Sequence, residues 1–196
     1  DLKISLETHE TFAKTPVQWQ QIVWTNDKTL FPKTVQTLED NGVQVKSIYE
    51  YQDELASFEM IENLIAQQKW GMASDALRYV LVNEFGEVYA DLNFNFNRDT
   101  TDEAHKYNYF TQEYGGRYID NFFFGASPNH PIIQKTVELV ERNIVNPPEY
   151  IANIKDQTSS TITDMATADP TFIAYYLEAN KDGNVDVVYP KNNTAR

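Results

Sequence analysis

Apolar positions along the chain are ordered most clearly between residues 70 and 99. Ala76, Leu77, Val80, Leu81 and Phe85 recur at intervals that line one face of an α-helix. Ser74 or Asp75 offers an N-cap before them and Gly86 a stop behind them, so the spacing predicts a helix from about Asp75 to about Phe85. Val88, Tyr89 and Ala90 then read as a buried strand. Beyond it the side chains alternate, with Leu92, Phe94 and Phe96 on one face and Asp91, Asn93, Asn95 and Asn97 on the other. One face belongs to a core; the other is a carboxylate followed by three carboxamides.

The flanking segments alternate between strand and helix patterns. Residues 1 to 20 are polar and weakly patterned, and fit strand, helix or arm equally. Gln21-Ile22-Val23-Trp24 is a short apolar run broken at Thr25-Asn26-Asp27, a strand that delivers Trp24 either into a core or to the edge of a loop. A helix follows Pro32 and stops at Asn41-Gly42, Val43 to Ile48 alternates as a strand, and Leu55, Phe58, Ile61, Leu64 and Ile65 mark another helical face. Tyr107 to Tyr118 is dense in tyrosine and broken by Gly115-Gly116, which suits an aromatic core layer or a cleft wall. Asp120-Asn121 heads an apolar strand ending at Gly125. Pro131 opens a helix that Asn146-Pro147-Pro148 closes. Phe172 to Asn180 reads as a short amphipathic helix and Val185 to Pro190 as a last strand. The alternation predicts an α/β fold with a mostly parallel central sheet flanked by helices, and a site at the carboxyl ends of its strands.

Composition narrows the partners. The 196 residues, 41% hydrophobic, are enough for one domain with a substantial core, so residues 1–196 are expected to form a single domain. A net charge of -13 repels phosphate backbones and anionic lipid surfaces, which argues against nucleic-acid binding. An anionic nucleotide would need a locally favourable pocket or a cation. No apolar run approaches the ~20 residues of a membrane span. With no cysteine, disulfides and thiolate metal sites are excluded. The chain opens on Asp1 rather than Met, as expected of a processed form or a fragment of a longer protein. His9, His105 and His130 lack metal-ligand spacing, and no glycine-rich phosphate loop or nucleophile elbow occurs.

The central stretch carries a more specific pattern. Ala73-Ser74-Asp75, Arg78-Tyr79, Gly86-Glu87 and then Val88-Tyr89-Ala90-Asp91-Leu92-Asn93 resemble the sugar-nucleotide glycosyltransferases with a D-x-D motif, a family that holds yeast-type mannosyltransferases, large clostridial toxins and bacterial effectors. Weaker echoes run collinearly over roughly residues 21 to 190: Ile22-Val23-Trp24, Asp120-Asn121 through His130-Pro131, and Ala168-Asp169-Pro170-Thr171.

The resemblance implies a GT-A-type fold and transfer of a hexose or N-acetylhexosamine from a nucleotide sugar, expected to be UDP-linked, to a protein or glycan with retention of configuration. It implies that Trp24 stacks on the nucleobase, that Asp75 and Arg78 hold the donor sugar and its phosphate side, and that Tyr89 lines the same pocket. Asp91 is expected to act at the diphosphate through manganese or magnesium, with Asn93 as the second ligand, and Asp120 and Asn121 to contact sugar hydroxyls. Two positions depart from the family pattern: Asn93 stands where the family has its second acid, and Gly86-Glu87 where it has a glycine pair. The first departure leaves a second expectation open, a glycosyltransferase-like binding module of weak or no activity. The expected setting is a soluble, secreted or translocated bacterial protein, with a host protein as acceptor.

Elementary chemistry bears on these residue types separately. Breaking an anomeric C–O bond builds charge on a departing diphosphate, for which a hard cation on oxygen ligands is the economical stabiliser in so acidic a chain. Asp75 and Arg78 lie three apart on one helix face and can meet the same ligand or each other.

Overall fold

The computed structural model describes Glu10 and residues 19–92, 106–114, 118–153 and 185–188; of 112–114, 118–120 and 185–188 the backbone alone is described. These residues belong to two compact units, one comprising Asp1–Glu54 with Asp91–Asp102, the other Leu55–Ala90 with Glu103–Arg196.

The first unit is a strand–helix–strand. β1 (Ile22–Thr25) leads to α1 (Pro32–Asp40), β2 (Gln44–Ser47) and a 3₁₀ turn, Ile48–Tyr51. Pro32 sits in the first turn of α1, where its missing N–H costs nothing. Gly42 takes φ +84° at the stop the sequence predicts. β1 and β2 pair in parallel, with Val23 opposite Val45 and Trp24 opposite Lys46. Because side chains alternate along a strand, the valine pair and the Trp24–Lys46 pair take opposite faces. The valine face is the core: Leu38, Val43 and Val45 are buried, with Val23 and Val35 packed against them.

In the second unit α2 (Phe58–Ala66) and α3 (Trp70–Phe85) precede β3 (Val88–Ala90), β4 (Tyr109–Tyr114) and β5 (Tyr118–Ala126); α4 (Pro131–Val145), α5 (Glu149–Ala152) and β6 (Val185–Val188) follow. The sheet order is β3-β5-β4-β6. β5 runs antiparallel to both β3 and β4, while β6 is parallel to β4. The α/β class holds, but this sheet is mixed rather than mostly parallel. Three residues separate β4 from β5, enough for a hairpin and too few for the crossover that parallel neighbours require.

α3 starts earlier than its pattern predicts. Lys69 stands at the N-cap with no side-chain bond, and Ser74 and Asp75 lie inside the helix rather than at its cap. Only three residues, 67–69, join α2 to α3, and Gln68 at φ +58° turns the chain, so the start is set by that reversal and not by a capping side chain. Gly86 ends α3 as expected, at φ +65°. A Cβ there would also lie 2.1 Å from the Pro128 ring. The Asn129 N–H donates to the Asn83 carbonyl oxygen at 2.7 Å beside it, so the α3–β3 turn and the turn before α4 form one packed corner. His130 caps α4: its Nδ1 accepts from the Ile132 N–H at 3.3 Å, and its ring stacks on Tyr109 with centroids 5.6 Å apart. Buried there, its imidazole is held below the ordinary histidine range by desolvation.

The core of this unit is aromatic where α3 meets the sheet. Tyr79 stacks on Phe124 at 5.0 Å, and Tyr89 lies 5.6 Å from the same ring. Among the described residues no helix is long and apolar enough to cross a membrane. The helix expected over 172–180 and the residues after 188 lie outside the described residues.

Candidate functional site

Asp75 and Arg78 project from α3 toward the sheet of their own unit. The Arg78 side chain is nearly buried, at 7% exposure, and the Asp75 side chain is at 13%. Arg78 Nη2 and Asp75 Oδ1 form an ion pair. Arg78 Nη1 donates to the Asn121 carbonyl oxygen on β5 at 2.8 Å, and its guanidinium carbon lies 4.6 Å from the centroid of the Tyr89 ring on β3. A planar fork of donors with an apolar face suits this threefold role. The two residues therefore meet each other, and the pair is buried rather than at the surface. One side chain of α3 thereby ties together β5 and β3, and Asp91 is the first residue after β3.

Of the other residues singled out in the sequence, Tyr89 is held between Arg78 and Phe124. Asn121 enters through its backbone oxygen. Asp120 lies beside it on β5 with only its backbone described. Asp91 is half-buried, grouped with the first unit. Asn93, Asn95 and Asn97 fall outside the described residues. Among the described residues no three His, Cys, Asp or Glu side chains gather into a metal-binding group. A magnesium-like ion needs no such trio, since one or two carboxylates with water and phosphate oxygens complete its shell. Asp91, a hard oxygen donor that is only half-buried, fits that requirement.

The chain as a whole is similar to a solved structure, the PaToxG glycosyltransferase, with a TM-score of 0.61 at 17% identity over 90% of this chain and 68% of that one. The chain shares the fold of that structure. No protein-family model and no curated protein matches the sequence.

Trp24 has company that its own strand does not reveal. It is half-buried on the face of β1–β2 opposite the valine core, with the Tyr51 ring edge-on at 5.1 Å. Lys46 Nζ lies 5.3 Å from the Trp24 centroid and 5.2 Å from that of Tyr51. Trp24 and Lys46 are each third of four residues in parallel strands, so the cluster forms at their carboxyl ends, where α/β folds gather ligands. The signal was there in principle, because aligning the two strands in parallel puts Lys46 opposite Trp24. Register is not written in either strand alone.

Proposed function

We propose that this chain is a retaining glycosyltransferase that moves a hexose or N-acetylhexosamine from a UDP-sugar to a hydroxyl of a protein or glycan acceptor, as a single catalytic domain. One observation supports it above others: a chain whose sequence carries Asp75, Arg78 and Asp91 in the family's order has the fold of a solved glycosyltransferase. In the reaction the bond from the anomeric carbon to the diphosphate oxygen breaks, the acceptor oxygen bonds to that carbon, and the acceptor proton departs with the UDP. In this reading Trp24 is the platform for the base, and Tyr89, Asp120 and Asn121 are assigned to the donor sugar. The Asp75–Arg78 pair holds β3 and β5 in place for the donor sugar. Asp91 and Asn93 are the ligands for manganese or magnesium, which when bound would neutralise charge developing on the diphosphate.

Asn93 favours a second reading, a glycosyltransferase-like module that binds a donor or partner without turnover, because an amide brings an oxygen but no charge. One experiment separates the two. Release of UDP from UDP-glucose and UDP-N-acetylglucosamine is measured with manganese for the wild type, Asp91→Ala and Asn93→Asp, alongside the thermal shift each donor gives. The enzyme reading expects a shift and turnover that Asp91→Ala abolishes. A shift without turnover in either wild type or Asn93→Asp supports the module. No shift with any nucleotide sugar overturns the enzyme reading.

A further inference from the structure

The Trp24–Lys46–Tyr51 cluster has more in it than a stacking platform. We infer that Lys46 is a specificity-determining residue of the donor site, selecting uridine over cytidine nucleotides by presenting its ammonium to the carbonyl edge of a pyrimidine stacked on Trp24. This rests on the nucleotide-sugar reading above and sharpens it.

Position supports the inference first. Trp24 and Lys46 are register partners in a parallel pair and share the face turned away from the valine core. They stand at the carboxyl ends of their strands, next to the Tyr51 ring. In a chain of net charge -13, a cation on an aromatic surface at such an end is a local departure from the prevailing sign. It is also what an anionic ligand needs.

The chemistry of the ammonium supplies the selectivity. It has three donors and no acceptor. The lysine stem is flexible, so the ammonium can leave its place over the indole for the rim of a base stacked there. Its cation–π contacts with Trp24 and Tyr51 are weak at a partly exposed site. Uracil O4 accepts a charge-assisted hydrogen bond from it. Cytosine carries an amine at the same position, so donor would face donor and both would be left unsatisfied. Sites built this way reject the mismatched ligand far more strongly than apolar shape does.

The test is a calorimetric titration of the whole chain with UDP and CDP in the presence of manganese. UDP and CDP differ only at the ring edge in question. The wild type is expected to bind UDP at least about 10-fold more tightly than CDP, the discrimination one charged hydrogen bond supports. Lys46→Met is expected to bring the ratio to within about 3-fold, mainly by weakening UDP. Lys46→Gln, which offers both a donor and an acceptor, is expected to bring it close to one, and serves as the reading if the methionine variant fails to fold. Trp24→Ala is expected to weaken both nucleotides. A ratio unaltered in folded Lys46→Met or Lys46→Gln, or a wild type that binds CDP as well as UDP, overturns the role of Lys46 while leaving the donor reading intact. A wild type that binds neither nucleotide overturns the donor reading and the inference with it.

Discussion

Replacing Asp75 by alanine separates a surface ion pair from a buried one. An exposed lysine or arginine pair with a carboxylate contributes about 0 to 1 kcal/mol. Here the Arg78 side chain is 7% exposed and that of Asp75 13%, so removing the acid takes a paired carboxylate away from a buried cation. That situation costs about 3 to 5 kcal/mol. The bond from Arg78 to the Asn121 carbonyl survives the change, as does its contact with Tyr89, and alanine is the better helix former by under about 1 kcal/mol, so the lower part of the range is expected. For a chain of 196 residues, each kcal/mol moves Tm by about 2 to 4 °C. Asp75→Ala should therefore lower Tm by about 6 °C or more, read by differential scanning fluorimetry and checked by urea unfolding followed by circular dichroism. The double variant Asp75→Ala/Arg78→Met, which removes both charges, should recover most of the loss. A single-variant loss below about 1 kcal/mol, or a double variant no more stable than the single, refutes the buried-pair account.

Two further outcomes follow from the packed corner and the cap beside it. His130 is held below its ordinary range by burial, so the native state favours the neutral ring; the stability this contributes is complete above about pH 6.5 and is lost as pH falls toward the native value. Tm should decline between pH 7.5 and pH 5.5, and His130→Asn, which keeps a capping side chain, should flatten that part of the profile; an unchanged slope refutes the assignment. Gly86→Ala should cost upward of about 1 to 3 kcal/mol in urea unfolding, because a left-handed φ is combined with a Cβ 2.1 Å from Pro128; a loss under 1 kcal/mol would mean that Pro128 gives way.

The elements were largely legible because local chemistry decided them. Pro32 and Pro131 open helices, Gly42 and Gly86 stop them, and the runs at residues 21–24 and 119–125 lie on strands 22–25 and 118–126 to within a residue. What local chemistry did not decide was missed. The start of α3 depends on a reversal at Gln68 that no capping residue announces. The direction of β5 depends on a three-residue connection, although Gly115-Gly116 marked it as a break. At the site, the spacing of Asp75 and Arg78 showed that they could meet, but their burial comes from β3 and β5, distant in sequence. Lys46 has no aromatic neighbour on its own face of β2; Trp24 reaches it only through the β1–β2 register.

The turn at 127–130 carries a consequence for protein engineering. By sequence, Ser127-Pro128-Asn129-His130 is a polar connector between a strand and a helix, the kind of place chosen for a tag, a cleavage site or an inserted domain. Its backbone bond to Asn83, the ring of Pro128 against Gly86 and the seat of buried His130 on Tyr109 tie it to the core, although Pro128 and Asn129 themselves are exposed. Tolerance to insertion follows the burial and bonding of the backbone, not the polarity of the letters. A tag or label belongs elsewhere, on the exposed residues around Asn146 and Pro147.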